Sequence, residues 1–581
     1  MHRIFVRRAL ARGLSSSSRT IPLCSIVAPL SRPLYPPACS RWISHDGRLK
    51  LSSAFQSQND TIYALSSGAG KAGIAVIRIS GSSCQQIYHE LCPNKSLPKP
   101  RYAVVRSLFL PGSRAPEILD LEVLVLYFPG PRTVTGDDLL ELHVHGGSAT
   151  VKAVLSAIPK CAQNDTVIRY AEPGEFTKRA FLNNRLDLAQ VEALSETLAA
   201  ETEQQRRAAV RGSSGNLGRT YEEWRRKLLQ ARAEMEALID FQEDQHFDES
   251  PASLVQNVNL QVGEILLSIE LHEMASQRTE LLRNGIHVAL LGPPNAGKSS
   301  LMNQIVGREA SIVSGESGTT RDIIEANLDI RGYLCTFADT AGFRTTGLGG
   351  TTDATYPENK IGAVEEEGIR RARVKAAQSD VILVLASVEE RRGVGGFEIR
   401  YDLETLKLAA ACEQRLVLVN KMDVVTDEGE LHTLVTEFRE GVLQKIPGLE
   451  GVEPILISCR EAQIQSSNQQ DSNRVRLVAD SLVSAFQSMT SLPTNLQDLH
   501  GVTERQRQLL VQCRSSLEDY LAVLGTVDEG DQDAAYELDL TMGAEHLRYA
   551  ASCLGRITGR GEAGDVEEIL GVIFEKFCVG K

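Results

Sequence analysis

Residues 292–299 read Gly-Pro-Pro-Asn-Ala-Gly-Lys-Ser, a G-x-x-x-x-G-K-S phosphate loop set between the apolar run His287–Leu291 and a segment predicted to be helical from Ser300. A strand before and a helix after are what give this motif its meaning. The small residues let backbone N–H groups wrap phosphates, Lys298 reaches the β and γ oxygens, and Ser299 is placed to ligate magnesium. Such a loop belongs to an open, mostly parallel sheet whose buried strands alternate with helices. That alternation runs from His287 to about Phe486, with buried strands predicted at Val381–Leu385, Leu416–Val419 and Ile455–Ile457.

Three more motifs stand at predicted strand ends in the order this fold requires. Asp339-Thr340-Ala341-Gly342, after Leu334–Ala338, supplies a carboxylate that holds magnesium through water and a glycine amide for the γ-phosphate. Asn420-Lys421-Met422-Asp423 follows Leu416–Val419, and the carboxylate of Asp423 can accept both the N1 and N2 hydrogens of guanine, a pair adenine does not offer. Ser458-Cys459, after Ile455–Ile457, holds the place of a Ser-Ala pair whose backbone amide contacts the guanine oxygen. Together the four imply a GTP hydrolase, with Asn295, Ala296, Gly297, Lys298, Ser299 and Ser300 in its phosphate loop. Phe343 stands where Ras-like enzymes carry a water-positioning glutamine, so hydrolysis must recruit another polar group. Asn295 has two readings: a ligand for a monovalent cation that stabilises transition-state charge, or a simple turn residue.

At 581 residues the chain is too long for one core. No run of about 18 apolar residues is present, which argues against a membrane span. The eleven cysteines show neither a CxxC pair nor zinc spacing, a pattern suited to a reducing compartment. The first 45 residues carry seven arginines, the run Ser15–Ser18 and no acid before Asp46, the composition of a mitochondrial transit peptide. A disordered basic tail that binds nucleic acid is the alternative. Without that segment the formal charge goes from −13 to −20, that is −13 less the seven arginines.

From about Asn59 the pattern is short and β-rich, with strands at Gly73–Ile79, Leu121–Tyr127 and Leu139–Val144 and short helices at Cys84–Leu91 and Ala149–Ile158. Leu186–Leu282 reads as three helices broken near Gly212–Gly218 and Ser250–Pro251, with an apolar stripe of Leu188, Val191, Leu194 and Leu198. The tail from Val502 to Phe577 is helical again, and the two helical blocks are expected to share one core with the α/β unit inserted between them. The fold class is therefore multidomain α+β and α/β. Its divisions are a transit segment 1–45, an N-terminal α+β domain 58–183, a discontinuous all-α domain 184–284 and 488–581, and a Ras-like doubly wound domain 285–487.

Several segments are more specific than the nucleotide motifs: DTIYAL from Asp60, VTGDDLLELHVHGG from Val134, PGEFTKRAFLNNRLDLAQ from Pro173, GPPNAGKSSLMNQIVGREASIV from Gly292, GTTRD from Gly318, and the terminal Phe577-Cys578-Val579-Gly580-Lys581. In these the chain resembles the MnmE (TrmE) family of tRNA-modification GTPases, in a mitochondrial member of fungal type, from Asn59 to Lys581. The resemblance implies potassium on Asn295, Ser314, Glu316 and Thr319, and magnesium on Ser299 and Thr320. Ser314, Thr319 and Thr320 would then complete the GTP-binding set. It places the water-positioning carboxylate at Glu365 in Val364-Glu365-Glu366-Glu367-Gly368-Ile369, where a solvated helix-start carboxylate is the other reading.

The same resemblance gives the N-terminal domain a 5-formyl or methylene tetrahydrofolate, held by Arg78, Glu141, Arg185 and Lys581. Each of those residues taken alone is more often a surface ion-pair member, and Arg185 stands where bacterial relatives are expected to have lysine. Cys578 has no assigned role. Also implied are a homodimer meeting across its GTPase domains, an MnmG-type partner that carries FAD, mitochondrial tRNA as substrate and the mitochondrial matrix as location. A carboxymethylaminomethyl or taurinomethyl group would be installed at carbon five of the wobble uridine, the amine being glycine or taurine. A body this acidic is a poor nucleic-acid binder by itself, so tRNA would need a local basic groove or a basic partner.

A mitochondrial ribosome-assembly GTPase is the alternative. It would want an RNA-binding module with a GXXG loop and basic helices, whereas the tail after Gln487 reads as acidic-to-neutral helices. A membrane-remodelling GTPase would want a basic amphipathic or apolar anchor. Two polar stretches, Thr345–Ala363 and Glu461–Arg474, read as insertions, the second as disordered.

Overall fold

The structure, a computed structural model, describes residues 60–113, 115–163, 166–240, 251–313, 325–338, 373, 374, 376–391, 396–464, 473–524, 539–560, 577 and 580. Residues 1–45, Ser314, Glu316, Thr319, Thr320, Asp339 to Gly342, Phe343, the stretch Thr345–Ala363, Glu365, Cys578 and Lys581 lie outside the described residues.

The first sheet is built from β1 (Thr61–Leu65), β2 (Ile74–Ser80), β3 (Val104–Phe109), β4 (Ile118–Phe128), β5 (Leu139–His145) and β6 (Ile168–Tyr170), in the order β3-β4-β5-β2-β1-β6. All its pairings are antiparallel except β1 with β6. Period-two alternation sends Ala75, Ile77 and Ile79 of β2 and Leu140, Leu142 and Val144 of β5 to one face. There they pack on α1 (Cys84–Leu91) and α2 (Ser148–Ala157) through Ile87, Tyr88, Leu91, Val151 and Val154. Arg78 and Glu141 fall on the opposite face, directly paired in register. Helix α3 (Glu175–Leu182) leads out of this unit.

Four helices follow where three were expected: α4 (Leu188–Ala199), α5 (Glu203–Gly212), α6 (Asn216–Asp240) and α7 (Pro251–Asn284). The extra break is chemical. Thr202 accepts from the Gln205 amide while the Gln205 side chain returns to the Thr202 N–H, a capping box that starts a new helix three residues after α4 ends. The predicted stripe is buried only at its start: Leu188 and Val191 are fully buried, whereas Leu198 is 45% exposed.

Helices α6 and α7 share a core with two helices far along the chain, here numbered after those of the second sheet: α13 (Glu504–Leu524) and α14 (Leu540–Thr558). Tyr221, Leu228, Met235, Ile265, Leu510, Tyr520, Leu547 and Leu554 fill it. At one end the backbones of the two blocks nearly touch, and a Cβ on Gly501 would stand 2.4 Å from the Gly212 Cα. A buried carboxylate secures the same junction. Glu192 accepts from Arg505 Nε at 2.5 Å, Gln506 Nε2 at 2.7 Å and Thr503 Oγ1 at 3.1 Å.

The second sheet has eight strands: β7 (Ile286–Leu291), β8 (Ala310–Ile312), β9 (Glu325–Ile330), β10 (Tyr333–Ala338), β11 (Val381–Glu390), β12 (Phe397–Arg400), β13 (Gln414–Asn420) and β14 (Ile455–Leu456). Strands β14, β13, β11, β7 and β10 are parallel neighbours. The expected parallel sheet is thus extended by antiparallel strands, β9 and β8 beyond β10, and β12 on β11. The reason for the first is local: Arg331 and Gly332 both have positive φ, 51° and 92°, which matches a tight hairpin to the strand twist.

Both faces of this sheet are covered, since alternate residues of β7 and β11 feed two separate cores. Val288, Leu290, Val381, Leu383 and Leu385 face one, and Ala289, Leu291, Ile382, Val384 and Ala386 the other. Unbroken apolar runs are the signature of such strands. The flanking helices are α8 (Lys298–Arg308), α9 (Leu403–Ala410), α10 (Glu428–Gly441), α11 (Cys459–Ile464) and α12 (Asn473–Thr490). The stretch Glu461–Arg474, expected to be disordered, is helical at both ends, because α11 runs to Ile464 and α12 begins at Asn473.

Two histidines lie inside the helical part. His272 meets the Tyr221 hydroxyl at 3.0 Å and stacks near Trp224, and His500 meets Thr279 Oγ1 at 3.3 Å. Burial pushes each imidazole down to about 4. Unfolded imidazole titrates near ~6.5, so the folded chain binds these protons less tightly than the unfolded one. The stability they contribute is complete above ~6.5 and is lost as pH falls towards 4, about 3 kcal/mol for His272 alone. Urea midpoints read from helical circular dichroism should therefore fall through that window, and less steeply in His272→Gln. Equal slopes in both proteins would contradict this.

Candidate functional site

Strand β7 delivers the chain into the loop at Gly292. Here φ is 144°, and a Cβ would lie 2.2 Å from the carbonyl oxygen of Leu385 on neighbouring β11, so only glycine lets the loop close on the sheet. Asn295 has φ 62° and is exposed at the loop tip, a left-handed conformation that asparagine tolerates better than most residues. The turn reading of Asn295 thus describes its backbone, while no described residue hydrogen-bonds its side chain. Gly297, φ 98°, caps α8 in the left-handed region, so the helix begins at Lys298 and not at Ser300 as expected. Ser299 and Ser300 sit exposed in its first turn. Their N–H groups belong to the positive end of the helix dipole, where anions are favoured.

Lys298 folds back over the loop, donating from Nζ to the carbonyls of Gly292 at 2.7 Å and Pro293 at 2.9 Å. Burial holds its pKa below the usual lysine range, with Asp402 working against the shift. Asn420, buried at the end of β13, ties two motifs together. Its Nδ2 donates to the Ala296 carbonyl at 2.9 Å, and its Oδ1 accepts from the Cys459 amide at 3.2 Å. The Cys459 amide, expected to face the guanine oxygen, is engaged by Asn420 here. Burial pushes the Cys459 thiol up to about 11, so it stays protonated.

The segment Asn420–Asp423, expected to read the base, is shaped by Lys421, whose φ is 62° and whose Nζ pairs with Glu389 Oε1 at 3.0 Å. Asp423 accepts from the Ser458 hydroxyl at 2.6 Å, which leaves its other oxygen for a further donor. Glu389 was not anticipated from sequence. Its signal was the continuation of β11 five residues past the predicted end at Leu385, to the strand's pairing with β12. Burial raises the Glu389 pKa, but Lys421 and Arg400 more than offset this and leave it lowered.

In the first sheet Arg78 donates from Nε at 3.0 Å and Nη2 at 2.9 Å to one oxygen of Glu141. The ion-pair reading kept open for each of these residues is therefore what they make, with each other. Arg185 stands apart, its Nε donating to the Thr133 carbonyl at 3.0 Å. It still reaches the same strand indirectly, because Thr135 meets the Ser80 hydroxyl at 2.7 Å, two residues along β2 from Arg78. The chain end returns to this unit. The carbonyl of Gly580 accepts from Ser66 Oγ at 2.7 Å, a Cβ on Gly580 would lie 2.2 Å from the Leu65 oxygen, and Phe577 packs against Leu188 and Val191 of α4.

Residues 61–185 match the family profile described as GTP-binding protein TrmE N-terminus, and residues 188–578 match the MnmE helical domain. The chain belongs to the MnmE family. It is 38% identical over 522 residues to the tRNA modification GTPase MnmE of Parvibaculum lavamentivorans, covering 90% of this chain and 100% of that one. Mitochondrial proteins named as 5-taurinomethyluridine tRNA synthase subunits are 37% identical in Danio rerio and 36% in Homo sapiens, each alignment covering 90% of this chain and 93% of theirs. The chain is accordingly a GTPase acting in tRNA modification.

Its glycines give a direct check on the loop geometry. In Gly297→Ala the new methyl would stand 2.2 Å from Asn420 Nδ2 at a φ that alanine resists, a backbone penalty alone of about 1–2 kcal/mol. Titration with a fluorescent GTP analogue should show affinity at least ~10-fold weaker. Unchanged affinity would mean that the Asn420 bridge is not needed for binding.

Proposed function

We propose that this MnmE-family chain is a potassium-dependent GTPase of the mitochondrial matrix. With an MnmG-type FAD protein, it installs a carboxymethylaminomethyl or taurinomethyl group at carbon five of the wobble uridine of mitochondrial tRNAs. The observation that carries the tRNA assignment is identity of 36–38% along 90% of the chain, reaching both the first sheet and the helical core. A mitochondrial site is supported by two relatives so named and by the acid-free, arginine-rich first 45 residues. The proposed divisions are 58–183, 184–284 with 488–581, and 285–487.

The residues present fit the ions this reading requires. Ser299, exposed in the first turn of α8, would hold magnesium with Thr320, and the metal would neutralise charge on the phosphates. Asn295, exposed and without a described side-chain partner, would offer its amide oxygen to potassium together with Ser314, Glu316 and Thr319. Asp423 would read guanine with the oxygen not taken by Ser458. Asp339, Thr340, Ala341 and Gly342 would contact the γ-phosphate and magnesium, and Glu365 would position the attacking water in place of the glutamine that Phe343 replaces. GTP hydrolysis would drive opening and closing of a homodimer, not the carbon chemistry itself.

For the one-carbon donor, a tetrahydrofolate derivative, the fit is conditional. Arg78 and Glu141 satisfy each other at 2.9 Å, so the ligand would have to share or replace that pair, with Arg185 and Lys581 closing the site. Nucleoside analysis of mitochondrial tRNA from cells lacking the chain should show an unmodified wobble uridine, and the group present in wild-type cells identifies the amine. A normal modification level would reject the assignment.

Turnover separates the two catalytic proposals. GTP hydrolysis should rise when potassium replaces sodium, and Glu365→Ala should bind GTP normally while losing on the order of 100-fold in rate. Equal rates in the two salts would remove the potassium role from Asn295, and persistence of turnover would remove Glu365.

A further inference from the structure

The charge of the chain poses a problem for its substrate. Outside the first 45 residues the formal charge is −20, from −13 less seven arginines, yet tRNA is a polyanion. One stretch runs against the trend: residues 203–227 hold seven Arg or Lys side chains and three carboxylates. They lie on α5 and the first half of α6, and each is exposed or half-buried.

The pairing pattern leaves this face positive. Glu222 Oε1 accepts from two arginines, Arg225 at 3.1 Å and Arg560, just beyond the end of α14, at 3.2 Å. Glu203 likewise serves both Arg206 and Arg207. Arg219 donates to the neutral Asn216 side chain, Lys227 lies a loose 3.9 Å from Glu223, and exposed Arg226 pairs with no described residue. Arg219 and Arg226 are seven residues apart, two helical turns, and so project from one side of α6 about 10 Å from each other. The open depression along that side is lined by Arg219, Glu222, Glu223, Arg225, Arg226 and Leu229.

Its position is as informative as its charge. Helix α6 starts beside the cap of α4, where a Cβ on Gly218 would lie 2.1 Å from Asp187 Oδ2. Gly559, immediately before Arg560, abuts Phe181 and Leu188, with a would-be Cβ 2.7 Å from the Phe181 ring. Leu188 also packs on Phe577 of the chain end. The positive face therefore borders the junction of the first sheet's unit, α4 and the C-terminal segment, close to Arg185.

We propose that this face, Arg219, Arg225, Arg226 and Lys227 of α6 with Arg560, receives the phosphate backbone of tRNA. Four of its five cations are arginines, whose planar forks suit phosphate oxygens bidentately and remain charged at any working pH. Contacts of this kind position a polyanion without reading its bases. They orient the tRNA so that its wobble base meets the junction bearing Arg185. The assignment rests on tRNA being the substrate.

The test uses the full-length chain and an in vitro transcribed tRNA with uridine at the wobble position, titrated across a series of salt concentrations. Arg219→Glu/Arg226→Glu should bind at least ~10-fold more weakly at low salt, and its log affinity against log salt should flatten by about two units of slope. Arg219→Lys/Arg226→Lys should retain most of the slope. GTP turnover without tRNA and the melting temperature should match the unaltered chain in both variants, since neither residue belongs to the nucleotide site or the buried core. Unaltered affinity and slope in the charge-reversed variant would overturn the proposal. So would loss of binding to the FAD partner with tRNA binding intact, which would give the face to an acidic protein. No measurable tRNA binding by the unaltered chain would instead reject tRNA as its direct ligand.

Discussion

The nucleotide site depends on one buried amide. Asn420 holds the Ala296 carbonyl with its nitrogen and the Cys459 N–H with its oxygen, and it fills the space where any side chain on Gly297 would stand. Three segments, 124 and 39 residues apart in sequence, are thereby fixed to one point at the ends of β7, β13 and β14. A buried polar side chain that satisfies both its donor and acceptor sides in this way specifies a single arrangement, because any shift leaves a desolvated group unpaired. The phosphate loop and the segment expected to read the base are thus set relative to each other by the protein's own contacts.

A second set of polar contacts connects this sheet with the helices. Gln204 N–H donates to the Gly332 carbonyl at the β9–β10 turn, and Gln205 Nε2 donates to the Arg283 carbonyl two residues before the sheet's central β7 is reached. Arg283 in turn pairs with Glu196 on α4 at 2.9 Å and donates to the Val502 carbonyl at 2.7 Å. The N-terminus of α5 is therefore held by the sheet, while α4, which begins at the first sheet's unit, is held by the residue that leads into β7. These contacts add to the apolar packing of Ala208 of α5 and Leu282 of α7 into the core of the second sheet. The second sheet is thus joined to α4, α5 and α7 by polar and apolar contacts together.

Much of this was legible from sequence because the governing signals are local. Apolar runs bounded by Gly, Asn and Asp placed β7, β11 and β13 to within a few residues, and the phosphate loop could be read from residue types alone. What escaped depends on geometry that composition does not carry. The start of α8 at Lys298 follows from the left-handed φ of Gly297, the separation of α4 from α5 from a capping box, and the antiparallel extension of the sheet from two positive-φ residues in succession. Glu389 was missed because its role comes only through the side chain of Lys421. Arg78 and Glu141 were named together by resemblance, but their direct pairing is a matter of strand register, which one sequence does not disclose.

Charge distribution adds the last constraint. A net negative body repels tRNA at long range and favours only those approaches that meet a positive face, so acidity works as a filter on orientation more than as a bar to binding. On α6 that face is made by letting Glu222 serve two arginines, and not by removing carboxylates altogether. Glu222, half-buried with Arg225, pairs with both arginines while leaving one positive charge in excess, so part of the ordering cost is met before a phosphate arrives. The same residues thus supply preorganisation and attraction together, on a rigid helix whose buried side, through Tyr221, Trp224 and Leu228, is anchored in the helical core.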